Sequence, residues 1–204
     1  WGHELPRLCG RRVDLRWLTQ QDSPAILAIF GDSEVMEFWS SPPLRNLDGA
    51  VDLIEDIHRL FGSRRLFQWG ICLRETEEVI GTCTLFNLDQ AHRRAEIGFA
   101  LRRTAWGHGF ATEAIGLLLR FSFDSLDLHR LEADTDPMNE RSLRLLERQG
   151  FQREGILRER WHHLGKIHDA IFLGLLRNEW TGDPAAEPAV ADGRGPRLRS
   201  EPRR

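Results

Sequence analysis

The sequence predicts a single α+β domain with a central mixed, mostly antiparallel sheet flanked by helices. Several short runs alternate apolar and polar residues, a pattern that is typical of half-buried strands. Longer runs repeat their apolar residues with the helical period, and they lie between the strand-like runs. The chain has 204 residues, of which 41% are hydrophobic and 29% charged, and this suits one sizeable domain.

The amino-terminal part predicts one strand followed by helices. Residues 13–18 alternate with period two, so we expect them to form the first strand. Asp22 with Pro24 behind it signals the start of a helix. The helices expected here cover 25–30, then a short segment at 34–39, and finally an amphipathic segment at 47–61.

Strands dominate the middle and the end of the chain. A charged turn at 74–78 joins two apolar runs into a hairpin. The next helix is long and apolar on one face, and a later helix has Asn139 at its start and Gly150 just beyond its end, both favoured capping residues. In chain order these elements are strands 67–73, 79–86 and 95–101, helix 111–126, strand 131–135, helix 139–150, and strands 151–161 and 169–176.

Two closely spaced glycines mark the junction between the third of these strands and the long helix. Gly107 and Gly109 follow Trp106, and the apolar helical run starts at Ala111. Glycine accepts backbone angles that other residues resist and lets a ligand approach the main chain. The start of the helix adds unpaired N–H groups and the positive end of the helix dipole, which together favour a phosphate or pyrophosphate. A tight turn without a ligand is the alternative interpretation.

Five short motifs follow one another in a set order. They are E-I-G-F at 96–99, W-G-x-G-x-A-T-E-A from Trp106, N-x-x-S from Asn139, L-x-x-x-G-F ending at Phe151, and E-G-x-L-R from Glu154. In this order and spacing they resemble the GNAT superfamily of acetyl-CoA-dependent N-acetyltransferases, in particular the branch of bacterial ribosomal-protein N-terminal acetyltransferases. The resemblance covers about residues 11–180 and gives the expected domain, a GNAT-like fold.

The resemblance implies where the co-substrate acetyl-CoA binds. Main-chain N–H groups of the loop 105–111 would hold its pyrophosphate, and the end of the preceding strand would offer backbone groups to the pantetheine arm. Asn139 would bond this arm as well as cap its helix. The cofactor-binding residues implied in this way are Phe99, Ala100, Leu101, Ala105, Trp106, Gly107, His108, Gly109, Phe110, Ala111, Thr112 and Asn139.

Acetyl transfer requires a neutral amine as the nucleophile. An α-amino group has a pKa near ~8, against ~10.4 for a lysine side chain, so an α-amine needs only weak help from a base. Glu96 is the first candidate for this base, acting directly or through a water, because it lies on the strand that borders the acetyl group in the resemblance. Its alternative role is a surface carboxylate or a partner of Arg102 or Arg103. Asp134, on the neighbouring strand, is the second candidate.

The thiolate leaving group requires a proton. Many members of the superfamily supply it from a tyrosine, but this chain contains no Tyr. Ser142 in N-x-x-S matches the serine that the resemblance places near the coenzyme sulfur. A hydrogen bond within the first helical turn is the alternative for Ser142, and a water or no acid at all would also account for the absent tyrosine. The expected oxyanion donor is a main-chain N–H around Phe99.

The composition argues against several other partners. The net charge of −3 gives no bulk sign of a nucleic-acid face, and no apolar run approaches the ~20 residues that a membrane helix needs. The three cysteines form neither a disulfide framework nor a metal site, and Cys72 and Cys83 are expected to be buried thiols in a reducing cytoplasm. Three histidines between 162 and 168 lack ligand spacing, so no metal is expected.

The acceptor is not defined by any motif. A protein or peptide α-amine is the first expectation, a small-molecule amine such as a polyamine or an aminoglycoside is the second, and a non-catalytic acyl-CoA-binding module is the alternative outside enzymes. Arg45, Arg59, Arg64 and Arg65 hint at acidic contacts or at another acyl group such as succinyl. A homodimer is implied by the resemblance alone. Residues 181–204, rich in Pro, Gly, Ala and Arg, are expected to form a disordered basic tail.

Overall fold

One eight-stranded sheet organises the chain in a computed structural model that describes residues 2–163 and 165–182. The strands lie in the order β1-β2-β3-β4-β5-β6-β8-β7, and each neighbouring pair is antiparallel except β5 and β6. The strands are β1 (Leu8–Cys9), β2 (Val13–Arg16), β3 (Leu66–Leu73), β4 (Val79–Asp89), β5 (Arg94–Leu101), β6 (Arg130–Thr135), β7 (Gln152–His163) and β8 (Lys166–Leu176). The predicted α+β class and the mixed, mostly antiparallel sheet are confirmed.

Four α-helices flank the described sheet, and local sequence signals set their ends. They are α1 (Ser23–Phe30), α2 (Leu47–Gly62), α3 (Phe110–Arg120) and α4 (Glu140–Arg148). Pro24 occupies the first turn of α1, where its missing N–H costs nothing. The side chain of Asn46 accepts a hydrogen bond from the N–H of Gly49 at 3.0 Å and so caps α2. The predicted helices 25–30, 47–61 and 139–150 are confirmed to within a few residues.

Two apolar clusters hold helices against the two faces of the sheet. The larger joins α3 and α4 to the central strands, and Trp69, Phe67 and Phe123 are its largest fully buried side chains. The smaller joins α1 and α2 to the sheet. Burial at Ala50, Ile54, Ile57 and Phe61 follows the helical period along α2, which explains its amphipathic pattern.

The parallel pair β5–β6 is short, and this creates an opening in the sheet. Its pairing covers only Arg94–Glu96 on β5 and Arg130–Glu132 on β6. A parallel pair needs a crossover connection, and α3 supplies it here. Beyond Glu96, β5 keeps its pairing with β4 through Leu101 but leaves β6. The separation places a cleft next to the start of α3.

The predicted helix over 34–39 is wrong, because these residues form turns. The N–H of Met36 donates to the Asp32 carbonyl at 3.0 Å, and that of Trp39 donates to the Met36 carbonyl at 3.1 Å. A segment this short has too few hydrogen bonds to offset the cost of helix nucleation. Val35 and Met36 are instead buried beside α1 and α2, so tertiary packing determines the conformation.

The predicted helix 111–126 is regular only as far as Arg120. A π-helical turn, Phe121–Ser125, follows it. The hydroxyl of buried Ser122 donates to the Leu118 carbonyl at 2.7 Å, and such bonds compete with the regular helical ladder. The strand β1 was not predicted from the sequence. Of the predicted tail, residues 183–204 lie outside the described part of the chain.

Candidate active site

The glycine loop connects β5 to α3 through a backbone path with two left-handed residues. A 3₁₀ turn at Arg103–Ala105 follows β5, and Trp106 leads to Gly107 and Gly109, whose φ angles are +80° and +78°. These left-handed conformations favour glycine over any L side chain. A Cβ at Gly107 would meet no atom within 4 Å, so backbone conformation rather than crowding requires glycine there. Gly109 directly precedes the first turn of α3, as the sequence predicted.

Trp106 anchors this loop to the protein. Its indole Nε1 donates to the Leu101 carbonyl at 2.9 Å, and the guanidinium of Arg141 lies 4.7 Å from its ring centroid. Both core clusters contact its ring. His108 is exposed and stacks on Phe110, with 5.7 Å between ring centroids. Trp106 therefore positions the loop, whereas the His108 side chain faces outward.

Glu113 in the first turn of α3 holds the chain that precedes β2. Its carboxylate accepts hydrogen bonds from the N–H groups of Arg11 at 2.6 Å, Arg12 at 2.7 Å and Val13 at 3.3 Å, and from the Arg12 guanidinium at 3.1 Å. Burial would raise the pKa of Glu113, but these hydrogen bonds outweigh it and hold the pKa below its ordinary value. The Glu of the A-T-E-A motif is therefore a structural clamp.

A cavity of about 340 Å³ lies where β5 and β6 separate. Strands β3 to β6, the turn that opens α4, the β7–β8 hairpin and the 37–40 segment all contribute to its wall. The lining residues are Glu37, Phe38, Trp39, Ser40, Leu66, Gln68, Thr84, Phe86, Ile97, Gly98, Phe99, Ala133, Asp134, Thr135, Asp136, Asn139, Ser142, Leu146, Trp161 and His168. Four residues predicted from the sequence thus meet in one cavity, namely Phe99, Asp134, Asn139 and Ser142.

Asn139 and Ser142 form the start of α4. The Asn139 side chain accepts a hydrogen bond from the N–H of Ser142 at 3.2 Å, which confirms the predicted cap. Ser142 is half-buried at the cavity wall. Among the described hydrogen bonds, Ser142 takes part only through its backbone N–H. Its hydroxyl is therefore available to bind a molecule in the cavity.

The two carboxylates predicted as bases differ in position. Glu96 is half-buried, lies outside the cavity lining and accepts a hydrogen bond from the Asn87 amide at 2.9 Å. Its cross-strand partner Phe86 does line the cavity, so Glu96 lies on the same face of the sheet, at the margin of the cavity. Asp134 lines the cavity directly, and the Arg160 guanidinium donates to its carboxylate at 3.0 Å.

His168 was not recognised from the sequence as a functional residue. Its Nδ1 lies 3.0 Å from the Asp136 carboxylate, and both residues line the cavity. The two are 32 positions apart on different elements, so no local motif joins them. In residues 2–163 and 165–182, no group of three or more His, Cys, Asp or Glu side chains has the geometry to hold a metal ion.

The cavity wall is acidic, whereas four arginines in the sequence had suggested a site for acidic groups. None of Arg45, Arg59, Arg64 and Arg65 lines this cavity, and Arg59 is paired with Asp56. Its wall instead carries the carboxylates of Glu37, Asp134 and Asp136. An acidic wall favours a cationic acceptor over an acidic one.

Comparison with known proteins identifies the class of this protein as the acetyltransferases. A model of the acetyltransferase (GNAT) domain matches residues 12–152. The N-acetyltransferase p20 of Bacillus licheniformis, itself uncharacterised, is 37% identical over 87% of this chain and 100% of its own length. The chain therefore belongs to the GNAT family and is an acetyl-CoA-dependent N-acetyltransferase.

Proteins that are similar to this chain are described as acting on different acceptors. YdaF of Bacillus subtilis (strain 168), described as a candidate ribosomal N-acetyltransferase, is 37% identical over 50% of this chain and 56% of its own. A spermidine N-acetyltransferase of Vibrio cholerae was solved in complex with CoA and spermine. That structure has a TM-score of 0.73 at 24% identity, covers 82% of this chain and 97% of its own, and so shows the shared fold.

No helix in the described ranges is both long enough and apolar enough to cross a membrane.

Proposed function

We propose that this enzyme transfers the acetyl group of acetyl-CoA to the α-amine at the amino terminus of a protein or peptide. The observation that carries the proposal is the cavity between β5 and β6, which joins Ser142 to a wall of carboxylates. An ammonium group approaching this wall is attracted by Glu37, Asp134 and Asp136. The similarity to YdaF supports a ribosomal-protein acceptor.

The glycine loop and the free edge of β5 suit acetyl-CoA as the second substrate. We propose that the N–H groups from Gly107 to Thr112 hold the pyrophosphate, because the left-handed turns at Gly107 and Gly109 leave the main chain exposed before α3. The N–H groups of Ala105 and Trp106 instead donate to the carbonyls of Arg102 and Arg103. The edge of β5 at Phe99, Ala100 and Leu101, which β6 leaves unpaired, would receive the pantetheine amides. Asn139 would bond the same arm.

Two side chains are proposed to move protons during the transfer. Ser142 would donate to the departing sulfur, since its hydroxyl is available at the cavity wall. Glu96 would draw a proton from the amine through a water, since its carboxylate lies at the margin of the cavity. A main-chain N–H near Phe99 would stabilise the oxyanion.

A small-molecule polyamine is the second candidate acceptor. The three carboxylates in the cavity wall favour it, because a polyamine presents several positive charges. The Vibrio cholerae structure shows that a protein of this fold binds spermine.

An acceptor assay separates these proposals. The enzyme is incubated with acetyl-CoA and, in parallel, with amino-terminal peptides, the same peptides carrying a blocked α-amine, and spermidine, while free thiol is measured. Our proposal expects release that depends on the free α-amine of a peptide. Turnover with spermidine alone would replace the peptide acceptor by a polyamine, and turnover with neither above the hydrolysis rate would overturn both.

A further inference from the structure

We infer that His168, oriented by Asp136, is a catalytic base that takes the proton from the acceptor ammonium. The inference rests on the proposed acetyl transfer to an amine and assigns to His168, in place of Glu96, the removal of the amine proton. His168 lies on β8 and Asp136 lies in the turn between β6 and α4, and both line the cavity that Ser142 also lines. The sequence separation of the pair means that only the folded sheet brings imidazole and carboxylate together.

The contact with Asp136 selects the tautomer of the imidazole. An ionised carboxylate can only accept hydrogen bonds, so Nδ1 of His168 must carry the proton of the 3.0 Å contact. In the neutral ring, Nε2 is then the acceptor nitrogen. No described residue donates to Nε2, and the side chain is 36% exposed, so an amine in the cavity can reach it.

Asp136 is fixed in position by hydrogen bonds other than the one to His168. Its other carboxylate oxygen accepts from the N–H of Met138 at 2.8 Å, and its carbonyl accepts from the N–H of Asn139 at 2.9 Å. Its side chain is 12% exposed. One residue thus fixes both the turn that presents Ser142 and the orientation of His168. A carboxylate that orients a histidine in this way recurs in enzymes that use histidine as a base.

His168 fits the role of direct base better than the two carboxylates do. One oxygen of Asp134 is occupied by the Arg160 guanidinium, and Glu96 lies at the margin of the cavity. The charged groups around His168 are Asp136, the Asp134–Arg160 pair and Glu37.

The proposed step conserves atoms and charge. The acceptor ammonium gives one proton to Nε2 of His168, and its neutral nitrogen attacks the carbonyl carbon of the acetyl thioester. The C–N bond forms, the C–S bond breaks, and a second proton passes from nitrogen to sulfur by way of Ser142 or a water. His168 then returns its proton to solvent. Ammonium and acetyl-CoA become the acetamide, the free CoA thiol and one proton.

The test compares His168→Asn with His162→Asn, a matched change on the neighbouring strand of the same hairpin, where exposed His162 lies outside the cavity. The rate kcat/KM for the acceptor is measured from pH 6 to pH 9.5. We expect His168→Asn to lose roughly 10-fold at pH 7, because only about a tenth of an amine with a pKa of ~8 is neutral at that pH. The loss should shrink to within about 2-fold above this pKa, where the acceptor is already neutral. His162→Asn should match wild type at every pH.

Two further measurements separate a base from a structural role. Imidazole added to His168→Ala should restore part of the lost rate at pH 7, and CoA affinity by calorimetry should be unchanged in both His168 variants. Asp136→Asn should lower kcat/KM less than His168→Asn does and leave the pH dependence in place. Glu96→Gln should retain the kcat/KM at pH 7 that His168→Asn loses.

The failures of the inference and of the proposed function are distinguishable. Wild-type turnover with a deficit in His168→Asn that is equal at all pH values, or with no deficit, overturns the inference alone. If Glu96→Gln instead loses activity at pH 7 and regains it above the amine pKa, Glu96 is the base and the inference is also overturned. Absence of acetyl-CoA-dependent turnover in wild type, with every amine offered, overturns the proposed function as well.

Discussion

Ser142 illustrates how one residue combines a structural and a proposed chemical role. Its N–H completes the Asn139 cap of α4, while its hydroxyl remains available at the cavity wall. The backbone contact belongs to any residue at this position, so replacing the side chain leaves the cap in place. Substitution of Ser142 therefore tests the chemical role with little effect on the fold.

Ser142→Ala should lower kcat by roughly 10–100-fold, because the departing thiolate loses its proton donor. Binding of acetyl-CoA should change by less than about twofold, since the main-chain donors of the loop are untouched. Thiol release measures the first quantity and calorimetry the second. Ser125→Ala, at an exposed serine after α3, is the control. An undiminished rate in Ser142→Ala would leave water as the donor.

A second prediction at the scale of residues concerns the left-handed turn at Gly107 and its part in acetyl-CoA binding. Gly107→Ala forces an L side chain into φ +80°, which costs about 1–2 kcal/mol and disfavours the present loop. We expect acetyl-CoA to bind roughly 5–20-fold more weakly in calorimetry. Gly155→Ala is the matched control, because its Cβ also meets no atom within 4 Å and its φ lies outside the left-handed region. Equal affinity in wild type and Gly107→Ala would contradict a role for this turn in binding.

At the scale of elements, Glu113 ties α3 to the segment that enters β2. The first turn of α3 carries an acidic residue where the helix dipole favours one. Its carboxylate accepts hydrogen bonds from three backbone N–H groups, those of Arg11, Arg12 and Val13. The glycine loop lies directly before this turn, so the same helix start supports both the amino-terminal strands and the proposed pyrophosphate site.

Glu113→Gln should reduce the free energy of unfolding at pH 7 by about 1–3 kcal/mol, because hydrogen bonds to a charged acceptor become hydrogen bonds to a neutral one. The folded-state pKa of Glu113 is lowered, so its stabilisation is fully present above the unfolded pKa of ~4.3 and is lost as the pH falls through the lower folded value.

Urea unfolding at pH 7 and at pH 3 measures the difference between wild type and Glu113→Gln, which should shrink at the lower pH. Glu140→Gln is the control, since Glu140 forms an exposed pair with Arg144 and should contribute less than about 0.5 kcal/mol. A difference that stays constant with pH would show that the carboxylate charge does not contribute.

At the scale of the whole molecule, the sheet shields two of the three thiols. Cys72 and Cys83 are buried and Cys9 is exposed, as predicted for the first two. Burial raises the pKa of the Cys83 thiol and also that of Cys72. Because the thiolate is the reactive form, both sites are protected by low access and by protonation.

A thiol reagent such as Ellman's should therefore modify one cysteine per folded chain within minutes at pH 8, and three after unfolding in guanidinium. Cys9→Ser should abolish the fast phase. Fast modification of a second thiol in this variant would show that the sheet opens near β3 or β4, where Cys72 and Cys83 lie.

Most elements of the fold were predictable because their signals are local. Capping by Asn139, the hairpin around 74–78 and the period of α2 each depend on residues a few positions apart. The 34–39 segment was predicted wrongly because contacts of Val35 and Met36 with α1 and α2 outweigh a weak helical pattern. The helix predicted to 126 changes to a π-helical turn after Arg120, where the Ser122 hydroxyl donates to the Leu118 carbonyl.

The sequence by itself determined the family through five short motifs in a set order. It also determined the glycine loop and the start of α4, because each is a continuous run whose backbone conformation its own residues specify. Only the tertiary structure decided that β5 leaves β6 after Glu96, that Glu96 lies at the margin of the cavity, and that His168 meets Asp136 inside it. Those features depend on which strands become neighbours. Strand pairing joins residues far apart in the chain, and no local pattern records the distance between their side chains.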